Sequence, residues 1–197
     1  MRKLLLATGN QGKIKEMKAL LQSVEAEILT PGDLDLVLQV EETGKTYIEN
    51  AARKAKAFAT AANMLTLADD SGLEVEALGG EPGIYSARYS PKSGATDKDR
   101  RDYLLQQLQR FPRPWSAKFH CTVTLASPGA EIHFAEGNCA GEIIAEERGE
   151  AGFGYDPVFL VSELGRTMAE LSLVEKNQIS HRSRAIKAML PILLTYL

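Results

Sequence analysis

Lys3 to Thr8 is a short apolar run that gives way within four residues to Ile14, Met17, Leu20 and Leu21, spaced as on a helix among lysines and a glutamate. A buried strand, a tight polar turn and an amphipathic helix therefore open the chain. Thr46, with Glu49 three residues on, forms a candidate capping box for a second helix, striped by Ile48, Ala51, Ala52, Ala55, Phe58, Ala59 and Ala62. Leu65 to Ala68 reads as a strand that delivers Asp69, Asp70, Ser71 and Gly72 to its end. The Gly- and Pro-rich stretch from Gly79 to Gly94 reads as a long structured loop, and Asp97 to Gln109 as a surface helix.

Further on, the pattern changes from alternating elements to hairpins. Phe119, Cys121, Val123 and Leu125 alternate with polar residues, and the run Glu131 to Ala140 returns after a Ser-Pro-Gly turn, which predicts an antiparallel hairpin with one buried face. Ile143, Ile144 and Val158 to Val161 add strands, and a last helix is striped by Ala185, Ile186, Met189, Leu190, Leu193, Leu194 and Leu197. Pro191 should kink or split that helix. The expected fold is α/β: a mixed, partly antiparallel sheet flanked by helices and divided by a cleft into two lobes. With 197 residues, no repeat and no flexible linker, residues 1–197 are expected to form one domain.

Charge narrows the partners. A net charge of −3 offers no basic field for nucleic acid or an anionic membrane, so a small ligand is expected, its phosphates met locally by Lys13, Lys15 and Lys18. Cys121 and Cys139 stand in no zinc or redox spacing and read as free thiols of a reducing compartment. The stretch from Met1 to Thr8 is too short for a secretory signal, and the apolar end of the chain is half the length of a membrane helix; the expected location is the cytoplasm.

Three segments carry candidate chemistry. Thr8, Gly9, Asn10, Gln11, Gly12 and Lys13 join strand to helix, where backbone N–H groups and the helix dipole seat a phosphate; a plain turn with a capping Asn fits the spacing as well, since neither GxxxxGK nor GxGxxG is present. Glu41 with Glu42, and Asp69 with Asp70, form two acidic pairs suited to Mg²⁺, which takes one or two carboxylates and bridges to phosphate; solvated charges at Glu41 and Glu42 and a turn capped by Asp69 are the commoner reading of acidic dipeptides. Crowded carboxylates repel, so either a cation neutralises them or one holds a proton with a raised pKa. Gly152 to Pro157 offers aromatic faces and flexible backbone on which a base can stack, or a tight Gly-rich turn. His181 and Arg182, after the candidate N-cap Ser180, can point outward from the first turn of the last helix, as surface charges, the usual reading of such a pair, or as donors to a keto oxygen. His120 and His133 lie on opposite strands of the hairpin without a third ligand and read as structural.

LATGNQGK, EETGKTYIENA, ADDSGLEV, GGEPGIYSARYS, GFGYDPVF and EKNQISHR, in that order from Leu4 to about Ala185, resemble the inosine triphosphate pyrophosphatase family, with the bacterial dITP/XTP enzymes nearest in likeness. The resemblance implies a homodimer with an elongated mixed sheet and a nucleotide cleft, hydrolysing ITP, dITP and XTP to the monophosphate and pyrophosphate with Mg²⁺. It makes Asp70 the catalytic base and a metal ligand, and Glu41 a second ligand. Thr8 to Lys13 would hold the triphosphate, Ser71 would touch the substrate, and Phe153, Gly154, Tyr155 and Asp156 would enclose the base. Lys176 would contact the nucleotide, and His181 with Arg182 would read its 6-keto group. Two alternatives remain: a pyrophosphatase of other modified nucleotides, like the septum-formation inhibitor proteins, and a non-catalytic nucleotide sensor.

Overall fold

The computed structural model describes residues 2–129 and 131–197; Met1, the first residue of the stretch weighed as a signal, lies outside them. Seven strands form one sheet in the order β2-β1-β3-β4-β5-β6-β7. They are β1 (Arg2–Leu6), β2 (Ala26–Leu29), β3 (Thr66–Val75), β4 (Trp115–Ala126), β5 (Ile132–Ile143), β6 (Phe159–Val161) and β7 (Arg166–Thr167). The helices are α1 (Gln11–Leu20), α2 (Tyr47–Ala62), α3 (Asp97–Leu108), α4 (Leu173–Ile179) and α5 (His181–Tyr196). β1 pairs parallel with β2 and β3, while β6 pairs antiparallel with β5 and β7. β4 and β5 are neighbours joined only by residues 127–131, too few for a parallel crossover, so they form the expected hairpin. The sheet is open and mixed, with helices beside it.

The chain forms two compact units. The first runs as far as Asp70 and includes Cys121–Gly137 and His181–Leu197; the second is Ser71–His120 with Asn138–Ser180. In the first, successive residues of β1 and β3 face opposite ways, as the two-residue repeat of a strand requires. Leu4, Leu6, Leu67, Cys121, Val123 and Leu125 pack with Met17 of α1, with Leu21 at its C-terminal cap, and with Ala185, Ile186, Met189 and Leu193 of α5. Leu5, Ala7, Ala68 and Ala126 meet Ala55, Phe58 and Ala59 of α2 on the other face. Helices on both faces explain why Leu4, Leu5 and Leu6 are all buried, each contributing about 2 kcal/mol. In the second unit Leu73, Val75, Leu104, Leu108, Trp115, Phe119, Ile143 and Phe159 make a separate core.

Several expectations change. β3 does not stop at Ala68 but continues to Val75, so Asp69 and Asp70 lie within the strand, just beyond the stretch that pairs with β1. β4 has a single buried face only over its first residues; from Cys121 both faces are buried, Thr122 and Thr124 included. Pro191 does not divide α5, which is continuous across it while Met189 and Leu193 on either side stay in the core. Thr46 caps α2 by accepting from Glu49 N at 3.1 Å, but the Glu49 carboxylate accepts from Lys45 N at 2.6 Å, so the cap is shifted by one residue from a capping box.

Candidate active site

Strand alternation separates the two aspartates. Asp69 shares the face of Leu67 and meets α1 and α5; Asp70 shares the face of Ala68 and meets α2. Asp69 Oδ2 takes Lys13 Nζ at 3.0 Å, Arg182 Nε at 3.2 Å and Arg182 Nη2 at 3.1 Å, while Arg182 Nη1 donates to Glu16 Oε2 at 2.5 Å. Two anions thus meet two cations in a buried group. Burial alone would raise the Asp69 carboxyl, but Lys13, Arg182 and Lys54 outweigh it and hold the acid well below the carboxylate range. Asp69 Oδ1 is buried and has no hydrogen-bond partner among the described residues.

Asp70 meets different partners. Its Oδ2 accepts from Asn50 Nδ2 at 3.1 Å, and Lys54 Nζ lies 3.9 Å from Oδ1 while donating to Glu42 Oε1 at 2.6 Å. Burial raises the Asp70 carboxyl, Glu42 adds to the rise, and the opposing pull of Lys54, Lys13 and Asn50 does not cancel it. The expected repulsion between Asp69 and Asp70 is thereby replaced: each acid titrates in its own surroundings. Lys54 is pushed up, because Asp69, Asp70 and Glu42 more than offset its burial.

Among the described residues, no group of three or more His, Cys, Asp or Glu side chains converges as a metal cage. Mg²⁺ needs none, since it keeps several waters and completes its shell with phosphate oxygens. A buried carboxyl raised by desolvation, with a further carboxylate nearby, is a donor set whose ionised form a divalent cation would favour. The residues fit. It is Glu42, however, that reaches Lys54 beside Asp70, whereas Glu41 is exposed.

The turn after β1 combines both readings of its sequence. Asn10 caps α1, accepting from Lys13 N at 3.0 Å, and Thr8 Oγ1 accepts from Asn10 N at 3.2 Å. Gly9 borders open space, and Gly9, Asn10 and Gln11 are exposed at the positive end of a ten-residue helix. Lys13 is tied back to Asp69 and so has a fixed position.

In the second unit, the turn after β5 is built on its own carboxylate. Asp156, 3% exposed, accepts from Phe153 N at 2.8 Å and from Lys176 Nζ of α4 at 2.5 Å, and Nζ lies 5.1 Å from the Phe153 ring centroid. Gly152, at φ 79°, has no room for a Cβ beside that carboxylate. Tyr155 is buried and donates its hydroxyl to Ser86 O at 2.9 Å. Gly154, at φ 61°, gives its N–H to Asp97 Oδ2 at 2.8 Å and receives Arg101 Nη1 on its carbonyl at 2.8 Å. Asp156 and Tyr155 therefore brace the turn, and Phe153, partly exposed, is the residue that offers a face. Ser71, partly exposed, begins the second unit's part of β3.

His181 and Arg182 do not project outward: they are 5% and 1% exposed. Gly137 explains this, for a Cβ there would collide with His181 O and Ala185 N, so the first turn of α5 lies tight on β5. The sequence reading did not assign Glu16, Asn50, Lys54, Asp97 or Arg101. Asn50 and Lys54 recur at i, i+4 on α2, a signal outweighed by the apolar stripe beside them.

A mixed α/β sheet that sets one aspartate lowered in pKa and one raised on opposite faces of β3, beside a strand-to-helix turn open to anions, has the make-up of a phosphate-handling α/β protein. The chain belongs to the Ham1 family, whose model matches residues 4–192. It is 45% identical over 193 residues to a protein of Desulforamulus reducens named dITP/XTP pyrophosphatase, covering 97% of this chain and 95% of the relative. A protein of that name from Thermus thermophilus is 47% identical over 189 residues, 95% of this chain and 90% of the relative. Among solved structures, the Staphylococcus aureus Ham1 protein matches with a TM-score of 0.86 at 41% identity over 100% of both chains. A HAM1 protein from Coxiella burnetii matches at 0.88 and 39% identity, over 99% of this chain and 100% of that one. The motif resemblance is borne out, as is the mixed sheet flanked by helices.

Proposed function

We propose that the chain hydrolyses noncanonical purine nucleoside triphosphates, ITP, dITP and XTP, to the monophosphate and pyrophosphate, removing them from the nucleotide pool. The observation that carries the reading is the buried Asp70 carboxyl, whose pKa is raised because burial and Glu42 outweigh the pull of Lys54, Lys13 and Asn50. An acid tuned upward is suited to take a proton near neutral pH. Near full-length likeness to proteins named dITP/XTP pyrophosphatase supports the substrate class.

In this reading Asp70 orients a water and accepts its proton as the water oxygen bonds to the α-phosphorus. The bond from that phosphorus to the bridging oxygen breaks, and pyrophosphate leaves with the electron pair. Thr8 to Lys13 receive the phosphates through backbone N–H groups and the helix dipole, with Lys13 placed by its pair with Asp69. Asp70 with Glu41, and Glu42 next to it, would hold Mg²⁺, which when bound offsets charge on the phosphate oxygens. Ser71 touches the substrate, Phe153 stacks on the base, and Lys176, held by Asp156, adds a charge there.

His181 supplies a donor to a 6-keto oxygen; an amino group at that position leaves the donor without an acceptor, which disfavours ATP. Arg182 acts one step back, by fixing Asp69 and through it Lys13. The reading includes a cytoplasmic homodimer, on family likeness and the free thiols of Cys121 and Cys139. Hydrolysis of dITP in ¹⁸O-water tests the chemistry: label in the monophosphate is the expected result, and label in pyrophosphate or orthophosphate would place the attack elsewhere.

A further inference from the structure

We infer that Asp97 and Arg101, on the first two turns of α3, are positioning residues for substrate binding that fix the Phe153 turn by holding both backbone groups of Gly154. The inference rests on the reading of Phe153 as the face on which the base stacks. Asp97 Oδ2 accepts from Gly154 N at 2.8 Å, and Arg101 Nη1 donates to Gly154 O at 2.8 Å. The two side chains therefore grip one residue from either side, and its left-handed φ of 61° is one that only glycine adopts at little cost.

Arg101 is itself oriented. Its Nε and Nη2 make a forked pair with Glu147, at 3.0 and 2.9 Å, which leaves Nη1 for Gly154. Its side chain is 12% exposed, while that of Glu147 is 35% exposed, so the fork has its Arg101 half shielded and its carboxylate half open to solvent. Asp97 is held below the carboxylate range, burial being outweighed by Arg100, Gly154 N and Arg101, so it accepts as an anion at neutral pH. Charge-assisted bonds of this kind are about twice as strong as neutral ones.

These contacts settle what the turn can offer a ligand. The N–H of Phe153 goes to Asp156 and the N–H of Gly154 to Asp97, so these two donors are not offered to the edge of a base, and Gly154 C=O takes Arg101. The Phe153 ring, partly exposed and with the Lys176 ammonium over it, is the face the turn presents. Such a platform grips a purine by its face without regard to its substituents. Loosening the platform should therefore weaken all purine triphosphates alike and leave their ranking unchanged.

The test is steady-state pyrophosphate release from dITP and dGTP by Asp97→Ala, Asp97→Asn, Arg101→Met, Arg100→Ala and Phe153→Ala, with amide exchange followed over residues 150–157. Asp97→Ala and Arg101→Met should raise KM about tenfold for both substrates with kcat within about twofold, as expected for loss of uniform binding. Exchange at the turn should rise with them. Asp97→Asn keeps an acceptor for Gly154 N and should restore most of the binding. Arg100→Ala removes the other partner of Asp97 and should match the parent in both readouts. If Phe153→Ala raises KM while Asp97→Ala and Arg101→Met do not, the inference alone is overturned. If Phe153→Ala leaves KM unchanged, the base-stacking reading falls, and this inference with it. Faster exchange with a lowered kcat and unchanged KM would also overturn it.

Discussion

The two faces of β3 use the same side chain to opposite ends. On the α1 and α5 face, Asp69 is closed in by Lys13 and Arg182 and held in its charged form. On the α2 face, Asp70 accepts from Asn50 Nδ2 and lies 3.9 Å from a lysine that also serves Glu42, and its proton is held more tightly than in water. Neighbouring residues of one strand thus have opposite shifts because alternation hands them to different helices. A neutralised acid is a strut; an under-compensated one has a proton affinity that chemistry can use.

The largest effect should separate the faces by activity. Asp70→Asn should lower kcat about a thousandfold, within the range expected for a lost general base, while the melting temperature holds or rises. The sign follows from the shift: a carboxyl raised by folding contributes stability below its unfolded pKa and loses it as pH rises through the folded value, so at neutral pH its charge is a liability. A melting temperature that falls by many degrees would mean that Asp70 is a strut as well.

Next comes stability on the other face. Arg182→Met leaves Asp69 and Glu16 buried without their guanidinium and should cost about 3–5 kcal/mol, read by denaturant unfolding. A loss below about 1 kcal/mol would show that the closed group is not what holds α1 to α5. The pH response follows with the opposite sign to Asp70. Asp69 is lowered by folding, so its contribution is present above the ordinary Asp value of about 4 and is lost as pH falls through the folded value. Acid unfolding curves should be steep below about pH 4 in the parent and shallower in Asp69→Asn. Equal slopes would contradict the assignment.

The smallest effects concern groups near the closed face or outside both. Cys121, buried with its thiol pushed up to about 12 by burial and the charge of Asp69, should react with thiol reagents only on unfolding. The exposed pair Lys98–Asp102, at 2.7 Å on α3, should change stability by less than about 0.5 kcal/mol when removed.

The parts of this comparison legible in the sequence are the local ones. The strand-turn-helix of β1 and α1, the stripe of α2 and the hairpin all follow from spacing, as does the suspicion that Asp69 and Asp70 matter. Their division between two faces was hidden because β3 was read as ending at Ala68; a strand continuing through two aspartates runs against the depletion of Asp in strands. The partners of Asp69 were hidden by distance, since Arg182 lies 113 residues away in the chain and no local pattern links them. Arg182 read as a surface charge for the same reason, its burial being a consequence of Gly137 on another element. β2, β7 and α4, with four, two and seven residues, were not anticipated because they are too short to show a period.

Pyrophosphate release from inosine, xanthosine, guanosine and adenosine triphosphates, measured in parallel with Mg²⁺ and with a chelator, tests the central claim most directly. The account predicts fast, metal-dependent release from the first two and little from the others. Equal rates on all four would keep the hydrolase and discard His181 as the reader of position 6, and no release from any would contradict the account.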